Sequence, residues 1–219
     1  MNCERTETLL GAAKLARLKK LSVAVYGVGG VGGWCAEALL RSGVAKFVLI
    51  DEDVVQPTNL NRQCCATQAG LGRVKVEEMK ARLASINPEA IIEARQVRYL
   101  PGDEIADGEV VIDAIDSVDS KCALILAATA KGRRVYSSLG AAKRLDPTLV
   151  TLKRFSKVEG DALARAMRRG FKQCGEFPQT DFLCAVSTES PVECEGLGSM
   201  MPVTAAFGLA LAAAVIKDA

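Results

Sequence analysis

The chain has 219 residues, 49% hydrophobic and 25% charged, with 28 Lys/Arg against 26 Asp/Glu and no histidine. This composition suits a globular chain with a sizeable core and excludes a disordered or fibrous one. The missing histidine excludes every Ser-His and Cys-His nucleophile pair, so chemistry must run on carboxylates, Lys, Arg, thiols or a bound cofactor.

The start, MNCERTETLLG, lacks the apolar core of a secretory signal. Eight cysteines without a CxxC pair then predict reduced thiols in a cytoplasmic protein, and neither a zinc module nor a disulfide scaffold. LSVAVYG is a short strand ending at the glycine-rich turn GVGGVGGW (Gly27 to Trp34). WCAEALLRSG is a helix stopping at Gly43, and KFVLID a second strand, followed by a polar connection containing Pro57. Residues 73–86 put Val74, Met79, Leu83 and Ile86 on one helical face. AIIEARQV and EVVIDAI read as the third and fourth strands, KCALILAATAKG as a helix and RRVYSSLG as the fifth strand. The remainder reads as strand (TLVTLKRF), basic helix (GDALARAMRRGFKQ), strand (DFLCAVS) and an apolar tract from Met200 to Ile216. That tract is diluted with Ala, Gly and Pro and predicts a buried helix, with no membrane partner.

Strands alternating with helices predict an α/β fold, a Rossmann-like parallel sheet with helices on both faces. Without repeats or linker-like segments, residues 1–219 are expected to form a single domain. Its parts are an N-terminal arm (1–21), a nucleotide-binding half (22–140) and a half for substrate binding and dimerisation (141–219).

The turn Gly27-x-Gly29-x-x-Gly32 follows a strand and opens a helix, where backbone N–H groups and the positive helix end receive phosphate oxygens. Asp51 ends the second strand about twenty residues later, placed for ribose hydroxyls. This much fits NAD as well as ATP. The stretch DEDVVQPTNLNRQ separates them: it sets Asp51 and Asp53 beside Asn59, Asn61, Arg62 and Gln63, with Lys75 following. A nicotinamide ring needs an apolar pocket, whereas a triphosphate needs Arg62 and Lys75 on its β/γ oxygens and a carboxylate for Mg²⁺. The fourth strand ends in DAIDS, which brings Asp116 to the same sheet edge, while Asp113 reads as a strand-end structural carboxylate. Gly32 and Gly33 are equally open to phosphate contact and to helix–strand packing, and Asp53 to ligand contact and to a turn or cap role.

The set GVGGVG, D-x-D-x-V-x-x-T-N-x-N-R-Q, G-x-x-K (Gly72 to Lys75) and DAIDS resembles the ThiF/E1-like adenylating superfamily, whose members activate a carboxylate as its acyl-adenylate. RTETLLG (Arg5 to Gly11) is similar to the segment preceding the domain in that superfamily. Within it, TNLNRQ, DAIDSVDSK, SSLGAAKRLDPT, the VSTE of Val186 to Glu189 and GSMMPVTAAFGLALAAAVI resemble the tRNA threonylcarbamoyladenosine dehydratases. The chain departs from the pattern at Cys64 and Cys65, where a histidine is common, and in a short segment between VSTE and the final GS.

The resemblance implies ATP and Mg²⁺ as cofactors. It assigns ATP contacts to Gly27, Gly29, Gly30, Asp51, Asp53, Asn59, Asn61, Arg62, Gln63, Lys75 and Asp116. Arg62, Lys75, Asp116 and Arg5 are the implied catalytic set, with Asp116 the metal carboxylate and Arg5 reaching the ATP of a homodimer partner. The implied reaction adenylates the threonyl carboxylate of t6A in tRNA, and ring closure with loss of AMP follows. The alternative within the superfamily activates the C-terminus of a ubiquitin-like sulfur-carrier protein. An NAD-dependent oxidoreductase is disfavoured by the charged pocket, and a silent nucleotide-binding scaffold by the intact Arg62, Lys75 and Asp116. Some relatives bond a partner protein through a thiol in the half that holds Cys174 and Cys184, yet both read as inert.

The charge is unevenly spread. Residues 131–172 hold twelve Lys/Arg against three acids, or +9, leaving 16 against 23, or −7, elsewhere. Such a split suits a polyanion. The expected tRNA-binding residues are Lys153, Arg154, Arg165, Arg168 and Arg169, with Arg165, Arg168, Arg169 and Lys172 on one helical face.

Overall fold

The valine-rich and isoleucine-rich runs form seven strands in a computed structural model that describes all residues, 1–219. They are β1 (Ser22–Tyr26), β2 (Lys46–Ile50), β3 (Ile91–Arg95), β4 (Val110–Asp113), β5 (Arg134–Ser138), β6 (Val150–Arg154) and β7 (Leu183–Ser187). One sheet carries them in the order β3-β2-β1-β4-β5-β7-β6. Chain order reverses between β1 and β4, which opens a crevice at the carboxyl ends of those two strands.

Every neighbouring pair is parallel except β6–β7, in which Val150 lies opposite Ser187 and Arg154 opposite Leu183. The expected parallel sheet therefore has one antiparallel edge. A parallel strand needs a crossover that returns the chain to the starting edge, usually a helix. The connection from β5 to β6 has only the short helical turn Pro147–Leu149, and β6 runs back along the outer edge of β7.

The helices are α1 (Glu4–Leu10), α2 (Ala12–Lys20), α3 (Gly32–Arg41), α4 (Lys75–Ile86), α5 (Val118–Ala130), α6 (Ala162–Cys174) and α7 (Met201–Asp218). Two apolar clusters flank the sheet. One joins α2, α3, α4 and α7 to the strands; the other joins α5, α6 and Tyr99 to the opposite face. The apolar C-terminal tract is a core helix, with Val203, Phe207, Leu211 and Val215 buried at four-residue spacing. The stretch read as an N-terminal arm is helical. Its second helix anchors Leu15 and Leu18 in the core, whereas α1 buries none of its residues.

The glycine turn is where backbone approach is closest. Gly27 has φ +83, and a Cβ there would stand 2.6 Å from the Ala114 carbonyl oxygen. A Cβ on Gly32 would stand 1.9 Å from the Gly27 carbonyl oxygen. A Cβ on Gly33 would meet Cys64 Sγ at 2.9 Å. These contacts give Gly32 and Gly33 a packing role.

Candidate active site

Strand β1 delivers Gly27 to the crevice, where its N–H donates to the Ile50 carbonyl at 2.8 Å. The next N–H, of Val28, donates to Asp51 Oδ2 at 2.9 Å, and Asp53 N–H to Asp51 Oδ1 at 3.0 Å. The carboxylate ending β2 thus braces the glycine turn. A Cβ added to Gly29 would meet only the Gln63 side chain, at 3.5 Å, so this backbone is open to a ligand.

A cavity of about 380 Å³ lies over the turn. Gly27, Gly29, Gly30, Asp51, Asp53, Asn59, Arg62, Gln63, Lys75 and Asp116 all line it. So do residues that the sequence did not single out: Tyr26, Ile50, Val97, Arg98 and Tyr99 on one wall, and Ala142, Leu197, Ser199 and Thr204 on another. Tyr26 and Ile50 end apolar strands and read as core. Val97 to Tyr99 lie in a loop without periodicity, so nothing local marks them as a wall.

Lys75 is the first residue of α4, and its N–H donates to the Asp53 carbonyl at 3.0 Å. The side chain is buried, with Nζ 2.7 Å from an Asp53 oxygen and 3.5 Å from an Asp51 oxygen. A buried ammonium is costly unless paired, and Asp53 supplies the pair. Arg62 Nη1 donates to the Thr58 carbonyl at 2.6 Å and to Asn61 Oδ1 at 3.1 Å. These two bonds hold the guanidinium at the cavity rim and leave its other nitrogens for a ligand. Asn59 Oδ1 accepts from Gln56 N–H at 3.0 Å, so its acceptor shapes the loop and its amide nitrogen is the part left for contact. Gln63 is buried, and its Oε1 has no hydrogen-bond partner in the protein. Such an acceptor is ordinarily satisfied by water or a ligand.

Asp116 differs from the other carboxylates of the cavity. It is exposed and forms no ion pair, whereas Asp51 and Asp53 both face Lys75. Asp113 is wholly buried and bonded to Lys121 and Ser137, the structural carboxylate that its strand-end position suggests.

Two of the expected site residues are engaged by the protein itself. Asn61 stands outside the lining residues: its amide donates to the Ser199 carbonyl at 2.9 Å and its oxygen accepts from Arg62. It braces the cavity wall. Arg168 is not a free cation, because its Nη2 donates to the Phe155 and Val158 carbonyls at 2.9 and 2.6 Å. Its guanidinium also lies 4.9 Å from the Phe155 ring centroid. It sits on the flank of the basic face nearest Ala164 and Phe171, both buried, so packing claims it. Arg154 and Arg165 each use Nη1 on a carbonyl, of Asp181 and Gly160, but both stay exposed. Lys153 is half-buried on the edge strand, and Arg169 and Lys172 are exposed without partners.

Arg5 is exposed on α1 and lies outside the cavity of its own chain. Among the thiols, burial pushes Cys64 up to about 12 and Cys65 to about 11. Cys184 is also raised by burial, which removes it as a nucleophile at neutral pH. Cys174 is exposed at the end of α6, away from the nucleotide cavity.

The model of the ThiF family matches residues 4–218. A tRNA threonylcarbamoyladenosine dehydratase of Bacillus subtilis is 39% identical over 175 residues, 78% of this chain and 69% of its own length. One from Haemophilus influenzae is 34% identical over 228 residues, covering 92% of this chain and 87% of its own. A crystal structure of the Escherichia coli enzyme TcdA in complex with ATP superposes with a TM-score of 0.92 at 33% identity, over 99% of this chain and 92% of that one. The fold that carries the glycine turn, the buried lysine and the free aspartate on one cavity thus superposes over nearly its whole length on an enzyme crystallised with ATP. The chain belongs to the ThiF family, among its tRNA threonylcarbamoyladenosine dehydratases.

Proposed function

We propose that this protein is an ATP-dependent tRNA threonylcarbamoyladenosine dehydratase. The observation that carries the reading is the unneutralised Asp116 carboxylate lining one cavity with the Lys75 and Arg62 cations over an open glycine turn. That charge arrangement suits a metal-bound triphosphate and has no use in a nicotinamide pocket. Tyr26, Ile50, Val97 and Tyr99 form the wall for adenine, and Asp51 takes the ribose hydroxyls. Lys75 exchanges Asp53 for phosphate oxygens, and Arg62 adds its free nitrogens.

One carboxylate plus phosphate oxygens and water is a suitable shell for Mg²⁺, and Asp116 is the residue that would hold it. The ion would neutralise charge on the departing pyrophosphate. In the reaction the threonyl carboxylate of the modified adenosine attacks the α-phosphorus, and pyrophosphate leaves. The neighbouring ureido group of the same nucleoside then attacks the acyl carbon and AMP departs, a ring closure favoured by proximity. No protein nucleophile is required, in keeping with a cavity that no cysteine lines.

The decisive measurement is ATP–pyrophosphate exchange with t6A-bearing tRNA in one arm and a ubiquitin-like carrier protein in the other. Exchange that depends on the tRNA is expected. Exchange that depends only on the carrier would overturn the substrate assignment and leave the adenylation site standing.

The tRNA is proposed to lie along α6. Replacing Arg165, Arg169 and Lys172 with alanine avoids Arg168, whose loss would also unpack Phe155. The triple variant should bind tRNA more weakly and with a salt slope flatter by about 0.9 per lost phosphate contact, with ATP affinity unchanged. Unchanged tRNA affinity and slope would move the RNA to another face.

A homodimer is proposed from α1. A seven-residue helix with no buried residue and Leu9 82% exposed is too short to persist alone and needs an outside surface. The second copy supplies one, carrying Arg5 to the partner's nucleotide. Mixing Arg5→Ala with Asp116→Ala chains should then restore about a quarter of wild-type activity, since half the dimers are mixed and each has one intact site. A mixture as inactive as its parents would place Arg5 outside the partner's site. A tRNA substrate puts this work in the cytoplasm.

A further inference from the structure

Beneath Asp116 lies a charged group that takes no part in the proposed chemistry. Lys121, in the first turn of α5, and Asp113, at the end of β4, are both fully buried, with Nζ 2.7 Å from Oδ2. The same Nζ donates to Ser137 Oγ at 3.3 Å and to the Ser138 carbonyl at 3.0 Å. Ser137 Oγ donates in turn to Asp113 Oδ2 at 2.6 Å. Every charge and hydroxyl in the group has a partner. Burying such a pair is nonetheless seldom more stable than filling the space with apolar side chains, so stability alone is a weak reason for it.

Its geometry supplies a stronger one. Asp113 Oδ1, the oxygen facing away from Lys121, accepts the Ile115 N–H at 3.2 Å. That bond sets the course of the turn 114–117, which carries Asp116 into the cavity. The turn also touches the glycine turn: the Ala114 carbonyl oxygen lies 2.6 Å from where a Gly27 Cβ would be, and Ala114 N–H donates to the Tyr26 carbonyl at 2.8 Å. Lys121 thereby ties together the ends of β4 and β5 and fixes the rotation of Asp113. Asp113 in turn fixes the turn that bears the free carboxylate, against the glycine turn.

We infer that Lys121 and Asp113 are positioning residues that set Asp116 at the distance from the glycine turn needed to share one metal ion with the bound triphosphate. This rests on the reading of Asp116 as the metal carboxylate. The pair is the rigid support beneath a site whose own carboxylate has no partner, and α5 transmits the position of β5 to it.

The test uses the full-length protein and separates this role from stability. Asp113→Asn/Lys121→Met removes both charges together and leaves no lone buried ion, so its melting temperature should stay within a few degrees of wild type. Calorimetry should show affinity for ATP without metal unchanged, affinity for Mg·ATP reduced about tenfold, and the Mg²⁺ half-saturation of adenylation raised in proportion. Ser137→Ala, which deletes one hydroxyl and no charge, should show a smaller shift of the same kind and decides the matter if the double variant does not fold. Asp116→Asn is measured beside them. If it binds Mg·ATP like wild type, the metal reading of Asp116 falls and the inference with it. If Asp116→Asn loses Mg·ATP while the folded variants of the buried group keep both affinity and Mg²⁺ dependence, the inference alone is overturned.

Discussion

Asp116→Ala should yield a folded protein whose adenylation rate is lower by about 10²–10³-fold, the usual loss when one preorganised charge is removed from a transition state. The fold is expected to survive because Asp116 is exposed and bonds to no protein group. What disappears is the only lining carboxylate without an ion pair, and with it the proposed anchor for a metal on the pyrophosphate side. Circular dichroism, melting temperature and tRNA-dependent ATP–pyrophosphate exchange check the two halves of the statement. Near-wild-type exchange in the folded variant would place the site elsewhere. Arg62→Ala should lose a similar factor but also some order in the loop, because Arg62 ties Thr58 to Asn61.

The largest effect on stability is expected at Gly32. An alanine Cβ there would stand 1.9 Å from the Gly27 carbonyl oxygen, a backbone atom that cannot move without opening the turn. Gly32→Ala should cost more than about 4 kcal/mol, among the largest penalties single substitutions produce, and leave little folded protein. Gly29→Ala is the control, since its Cβ would meet only the flexible end of Gln63 at 3.5 Å. That variant should fold with a melting temperature near wild type and lose nucleotide affinity, because the methyl group occupies space that phosphate needs. A Gly32→Ala protein that melts like wild type would show that the turn relaxes at small cost.

Much of this was legible in the sequence because the strands here are short apolar runs, several of them closed by Gly, Asp or Ser, and helices separate most of them. The same residues that end the strands form the site, so Asp51 and Asp116 could be placed without knowing how the chain folds. The reversal of β6 was not legible, because the loop between Ser138 and Val150 shows no sign of which way the chain leaves it. Nor was the fate of Asn61 and Arg168. Each carries the side chain a ligand would want, and each is occupied by carbonyls ten or more residues away in sequence, of Ser199 for Asn61 and of Phe155 and Val158 for Arg168. The cavity wall that includes Val97 and Tyr99 was hidden for a related reason. Tyr99 is buried from a loop, and burial outside a periodic element leaves no pattern to read.

The pairing of Lys75 with Asp53 has a consequence for what the protein ignores. A lone buried ammonium beside a glycine turn would collect any small phosphate in the cell, including the pyrophosphate the reaction releases. Here a tethered carboxylate stands 2.7 Å from it and competes at a high effective concentration. Free phosphate, with nothing else to hold it, is a poor rival to that carboxylate. In the proposed site a nucleotide would gain from the apolar wall and the ribose contact as well, and so displace Asp53 from the ammonium. The pair would then act as an electrostatic filter, favouring ligands that bring a base with their phosphates and helping the site discard its inorganic product.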